Sequence, residues 1–63
     1  MPIIHVHFFE GRTLDQKRAL VANMTEAVVK SLNSKPEDVH ILLHEMSRQD
    51  NSIAGVLTSD KKG

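Results

Sequence analysis

At 63 residues and without a single cysteine, the chain is too short to enclose a self-sufficient core and has no disulfide to make up the difference. A domain of this size hides only about 60% of the surface its unfolded chain exposes, and ordering it costs roughly 1.5 kcal/mol per residue. The same lack of cysteine excludes a thiolate zinc site. The length fits one domain over residues 1–63 with no separate binding module, and self-association is the expected way to stabilise it.

Hydrophobic patterning supplies the elements. Pro2 to Phe9 is rich in β-branched and aromatic residues and alternates, with Ile4, Val6 and Phe8 opposite Ile3, His5, His7 and Phe9, so it predicts a strand with apolar groups on both faces. Such a strand is covered by a helix on one side and by something else, another subunit being one choice, on the other. Glu10-Gly11-Arg12 breaks the run, and Thr13 with Gln16 makes a capping box that starts a helix at Leu14. Leu20, Val21, Met24, Ala27, Val28 and Leu32 form its apolar stripe, with Asp15, Lys17, Arg18, Glu26 and Lys30 mostly on the water side. Asn33 and Pro36 end it near Leu32. Val39 to Met46 alternates again as a second strand, and the intervening helix makes the two strands parallel in a right-handed βαβ unit. Ser47 to Ser52 reads as a loop, Ile53 to Leu57 as a short hairpin or edge strand around Gly55, and Thr58 to Gly63 as a tail that is loose or docked on a neighbour. The fold class is α+β: a short βαβ unit with two parallel strands and a C-terminal hairpin, assembled as an oligomer.

Eight basic and eight acidic residues cancel and are scattered, so neither nucleic acid nor a membrane surface is expected as a partner. No apolar stretch approaches a bilayer span, and the N-terminus lacks the layout of a secretory signal, which predicts a soluble, cytoplasmic protein. Two phenylalanines are the only aromatics, too few for a base-stacking platform or a large aromatic cofactor cage.

Chemistry has few places to sit. A two-stranded sheet cannot shield both faces, so an enclosed site is expected between subunits. There is no cysteine, no Gly-x-Ser-x-Gly elbow and no phosphate-cradling glycine loop. Pro2 remains. Methionine before proline is normally trimmed, which leaves a free secondary amine. An α-amino group titrates around 7.7 to 8.0, and apolar burial beside cations disfavours its charged form further, which suits a general base working near neutrality. The alternative reading is that Pro2 merely begins a strand.

Pro2-Ile3, the run Phe9-Glu10-Gly11-Arg12-Thr13 followed by Asp15-Gln16-Lys17, and Glu45-Met46 closing the second strand resemble the 4-oxalocrotonate tautomerase family from Pro2 to about Ser59. The resemblance implies a βαβ subunit of a homohexamer, a trimer of dimers. It implies an amino-terminal proline base that interconverts enol and keto forms of unsaturated 2-hydroxy or 2-keto acids such as 2-hydroxymuconate, within aromatic compound catabolism. No metal or organic cofactor is implied. Pro2 matches the base, and Arg12 matches an arginine that grips the substrate carboxylate from a neighbouring subunit, as its planar fork allows. Phe9 falls where the family has an apolar wall residue, with ordinary packing as a compatible second role. Without the resemblance, Arg12 reads as a solvated charge beside a helix start.

Two positions depart from the family pattern. His40 stands where a second arginine polarises the carbonyl oxygen, and Asn51 where an aromatic wall residue stands. Histidine replaces a fixed cation only when protonated, and with a reference value of about 6.5 it is mostly neutral at pH 7. Slower turnover of dicarboxylate enols than in two-arginine members is therefore expected, and His40 as a non-catalytic surface or interface residue stays open. Two other functions stay open as well: a non-catalytic partner subunit of a hetero-oligomer, and a related hydratase or dehalogenase, for which Asp50 and Glu45 are poorly situated to activate water. His5 and His7 share a strand face that His44 can join, and interface packing is preferred over a metal site because no carboxylate accompanies them.

Overall fold

The computed structural model describes residues 1–61, and the first apolar run forms strand β1 (Ile3–Phe9). Gly11, at φ 115°, turns the chain out of β1 in a conformation that residues with a side chain rarely adopt. Helix α1 (Leu14–Leu32) then begins where the capping box predicts. The Gln16 amide donates to Thr13 Oγ1 at 3.1 Å, and the Thr13 amide donates to Gln16 Oε1 at 2.9 Å. Asn33 ends the helix at φ 55°, in the left-handed conformation, and Pro36–Asp38 form a 3-10 turn leading into β2 (His40–Met46). Each strand starts one residue later than its apolar run, because Pro2 has no amide proton for the ladder and the Val39 amide donates instead to the Pro36 carbonyl, 3.2 Å away.

β1 and β2 pair in parallel, in the register Ile4 with Ile41, Val6 with Leu43 and Phe8 with Glu45 on one face. Ile3 with His40, His5 with Leu42, His7 with His44 and Phe9 with Met46 occupy the other. α1 lies on the first face, where Val6 and Phe8 meet Gln16, Lys17 and Leu20 around a shallow hollow. Its half-buried positions Leu20, Val21, Met24, Val28 and Val29 keep helical spacing. The stripe differs from expectation at its ends. Ala27 is exposed and Leu32 is 64% exposed, whereas Lys17, expected on the water side, is half-buried and ion-paired with Glu45 of β2. Lys17 precedes Leu20 and Val21 by three and four residues, so its stem lies on the apolar stripe while its ammonium reaches the carboxylate.

After β2, Arg48–Asp50 make a 3-10 turn, capped by Ser47 Oγ accepting the Gln49 amide at 3.1 Å. β3 (Ser52–Ile53) and β4 (Val56–Leu57) form an antiparallel hairpin around Ala54 and Gly55, at φ 54° and 80°. Two successive positive φ angles are what a two-residue hairpin turn needs to match strand twist. The segment expected to be loose or docked on a neighbour begins instead with a 3-10 turn, Thr58–Asp60, tied to its own chain where the Thr58 amide donates to the Asn51 carbonyl at 2.8 Å. Lys62 and Gly63, the end of that expected tail, lie outside the described residues.

No side chain among the described residues is fully buried. The accessible surface is 5037 Å², where a monomer of this mass exposes about 4,100 Å². The radius of gyration is 15.0 Å, against about 11 Å for a compact chain of this length. Much of the excess is apolar: Ile3, Leu14 and Ile53 are each more than half exposed. Among the described residues no helix is long and apolar enough to cross a membrane.

Candidate active site

The two strands start together, and this brings Pro2 beside His40. The His40 amide donates to the Pro2 carbonyl at 2.9 Å, which fixes the peptide unit that follows the proline ring. Pro2 is half-buried, whereas Met1 in front of it is 85% exposed. The His40 side chain is exposed on the face that α1 leaves open.

The other end of the sheet holds the arginine. The Glu10 amide donates to the Met46 carbonyl at 2.9 Å, closing the ladder, and the turn at Gly11 then delivers Arg12 just before the Thr13 cap. Phe9, Glu10, Arg12, Met46 and Arg48, with His7, line a cleft of about 330 Å³. The Arg48 guanidinium carbon sits 4.7 Å from the centre of the Phe9 ring, in cation–π range. Arg12 also borders the hollow between β1 and α1, of about 260 Å³. Arg18 is paired with Asp15 at 2.9 Å, but neither Arg12 nor Arg48 has an ion-pair partner among the described residues. Two permanently charged guanidinium groups thus face one cleft whose wall has, among the described residues, a single carboxylate, Glu10.

These two ends are far apart. Seven residues of strand at about 3.3 Å each separate the Pro2 end from the Phe9–Arg12 end by roughly 20 Å. One protomer therefore brings Pro2 and His40 together, and Phe9 and Arg12 together, but does not join the two pairs. Asn51 belongs to neither: it is half-buried, its Nδ2 donates to Thr58 Oγ1 at 2.8 Å, and its carbonyl takes the Thr58 amide, so it anchors the base of the hairpin.

On the open face, the imidazoles of His5 and His7 lie close to that of His44, at centroid distances of 5.0 and 4.6 Å and angles of 13° and 14°. His5 Nδ1 and His44 Nε2 are 2.7 Å apart, so one ring donates and the other accepts. Arg48 borders the cleft beside Phe9, a position the sequence reading did not foresee. Its available signal was parity: it follows Met46 by two positions, and Met46 pairs with Phe9.

The sequence matches the family model described as tautomerase enzyme over residues 2–61. A probable tautomerase of Listeria monocytogenes serotype 4b (strain F2365) is 47% identical over 60 residues, covering 95% of this chain and 98% of that protein. Among solved structures, YwhB, a homologue of 4-oxalocrotonate tautomerase, superposes with a TM-score of 0.92 at 36% identity, covering 97% of this chain and all of that one. A 4-oxalocrotonate tautomerase isozyme of Methylibium petroleiphilum superposes with a TM-score of 0.87 at 45% identity, over 92% of this chain and 91% of that one.

Proposed function

The chain belongs to the tautomerase family, and on that premise we propose that it is a keto–enol tautomerase whose general base is the secondary amine of Pro2, freed when Met1 is removed. The substrate in this reading is a small unsaturated 2-hydroxy or 2-keto acid, with 2-hydroxymuconate as the type compound. The Pro2 nitrogen takes the hydroxyl proton of the enol, the electron pair left on oxygen becomes the carbonyl, and the displaced π electrons take the proton back at carbon. Arg12 holds the carboxylate through its two-pronged donor face, Phe9 keeps water from the amine, and His40 supports the oxygen as charge builds there. No cofactor enters the scheme, and Asn51 contributes only by holding its loop.

The observation that carries this reading is the position of Pro2: directly behind an exposed Met1, half-buried, and pinned through its carbonyl to His40. The roughly 20 Å between Pro2 and Arg12 supports a site shared between subunits, with the base from one and the clamp from another. The excess of roughly 900 Å² of accessible surface, compared with about 800 Å² per partner in a standard interface, supports association. We assign the oligomer as a homohexamer, a trimer of dimers, of single-domain subunits working in the cytoplasm.

The test uses protein whose intact mass shows loss of Met1. Ketonisation of 2-hydroxymuconate is followed optically for this protein and for Pro2→Ala, which keeps a primary amine in a less constrained frame. A fall in kcat/KM of at least about a hundredfold is expected. Equal rates for the two proteins would remove Pro2 from the mechanism and leave a non-catalytic subunit as the better description.

A further inference from the structure

The resemblance leaves this chain with one arginine for substrate and a histidine in place of the second, yet the cleft beside Phe9 is bordered by two guanidinium groups that have no ion-pair partner among the described residues. We propose that Arg48 is a second substrate-binding residue, acting with Arg12 to hold an acid that carries two carboxylates. The proposal rests on the tautomerase reading for the identity of the substrate, and on the cleft alone for the binding of a dianion.

Three observations carry it. First, Arg48 is held in place without a carboxylate: its guanidinium lies on the Phe9 ring at 4.7 Å, which leaves its donor edges available, since stacking uses only the flat face. Second, its backbone is fixed. The turn Arg48–Asp50 is capped at Ser47, with the Asp50 amide donating to the Ser47 carbonyl at 2.9 Å, directly after Met46 has paired with Phe9. Third, Arg12 and Arg48 border the same cleft of about 330 Å³, at the lower end of the range for small-ligand sites. Glu10 also lines this cleft and forms no ion pair with either arginine among the described residues, so two positive charges face one negative charge, and an incoming dianion meets net attraction. His7 is the remaining titratable group on the cleft wall.

The assignment gives binding and charge stabilisation to different residues. Arg48 acts on binding, through the ground-state charge of a carboxylate. His40, at the opposite end of the sheet and on another subunit's share of the site, acts on the oxygen where charge develops. Loss of Arg48 therefore raises KM with kcat little changed, whereas changes at His40 appear in kcat.

The experiment measures equilibrium binding of adipate, a saturated six-carbon dicarboxylate, and of hexanoate, its monocarboxylate counterpart, to Met1-free protein by NMR titration. The signals followed are the arginine side-chain Nε–H groups. Wild type should bind adipate more tightly than hexanoate, with the Arg12 and Arg48 signals moving together. Arg48→Gln should weaken adipate roughly tenfold or more and hexanoate less than about twofold, and Arg48→Lys should recover part of the difference. Unchanged adipate binding in Arg48→Gln, or equal loss for both acids, overturns the proposal. Turnover with the Pro2→Ala control separates the two readings. Diacid selectivity that depends on Arg48 in a protein without Pro2-dependent turnover leaves Arg48 standing and removes the base. Pro2-dependent turnover with no effect of Arg48→Gln on adipate does the reverse.

Discussion

In the resemblance drawn from the sequence, His40 is the most consequential departure, and its surroundings explain what substitution there can achieve. Its amide is committed to the Pro2 carbonyl, so the backbone position is fixed, while its side chain is exposed and free of any hydrogen bond among the described residues. An arginine at this position supplies a cation that does not titrate in the working range. His40→Arg is expected to raise kcat on 2-hydroxymuconate by about tenfold, because a fixed guanidinium donates more strongly to developing negative charge than an imidazole. Turnover rates of the two proteins check it; a kcat identical to wild type would assign His40 no part in supporting the oxygen. At this scale the sequence was a partial guide. Roles for Pro2, Arg12 and Phe9 came from the family resemblance, whose short motifs record local chemistry. The stacking of Arg48 on Phe9 could not be read there, because it depends on the register of β2 against β1, which only folding supplies.

The elements follow local rules closely, and the exceptions have tertiary causes. Thr13, Gln16 and Asn33 set the ends of α1 through bonds between near neighbours, so its span was legible residue by residue. Lys17 was misread as solvent-facing because its partner, Glu45, is 28 residues away on another element. Order at the start of the tail was missed for a similar reason, since Thr58 is held by Asn51 across the hairpin. That hairpin carries one local conflict: Ala54 is held at φ 54°, a conformation that costs a residue with a Cβ roughly 1–2 kcal/mol. Ala54→Gly is expected to stabilise the protein by up to about 1 kcal/mol, the relief of strain being offset in part by the greater freedom of glycine in the unfolded chain. Chemical denaturation at fixed protein concentration measures it, and a loss of stability would mean that the Ala54 methyl packs in the assembled protein.

At the scale of the whole molecule, the separation of Pro2 from Arg12 makes a prediction that no single-chain site would share. Subunits carrying Pro2→Ala and subunits carrying Arg12→Ala are each expected to be nearly inactive alone. Unfolded together in equal amounts and refolded, they should recover about a quarter of the wild-type rate, because random assembly pairs an intact Pro2 with an intact Arg12 in that fraction of sites. A mixture no more active than its components would put both residues of a site on one chain. Length alone led the sequence reading to expect partners, but not which surfaces would meet, since the clustered histidines and the apolar hairpin acquire their exposure only in the folded protomer. The lack of a sealed interior among the described residues carries one more consequence. If burial is completed only between copies, then abundance governs whether a newly made chain holds its shape, and scarce expression leaves it open to proteases. The cell would see a threshold in synthesis rate, below which catalytic capacity falls faster than the number of chains.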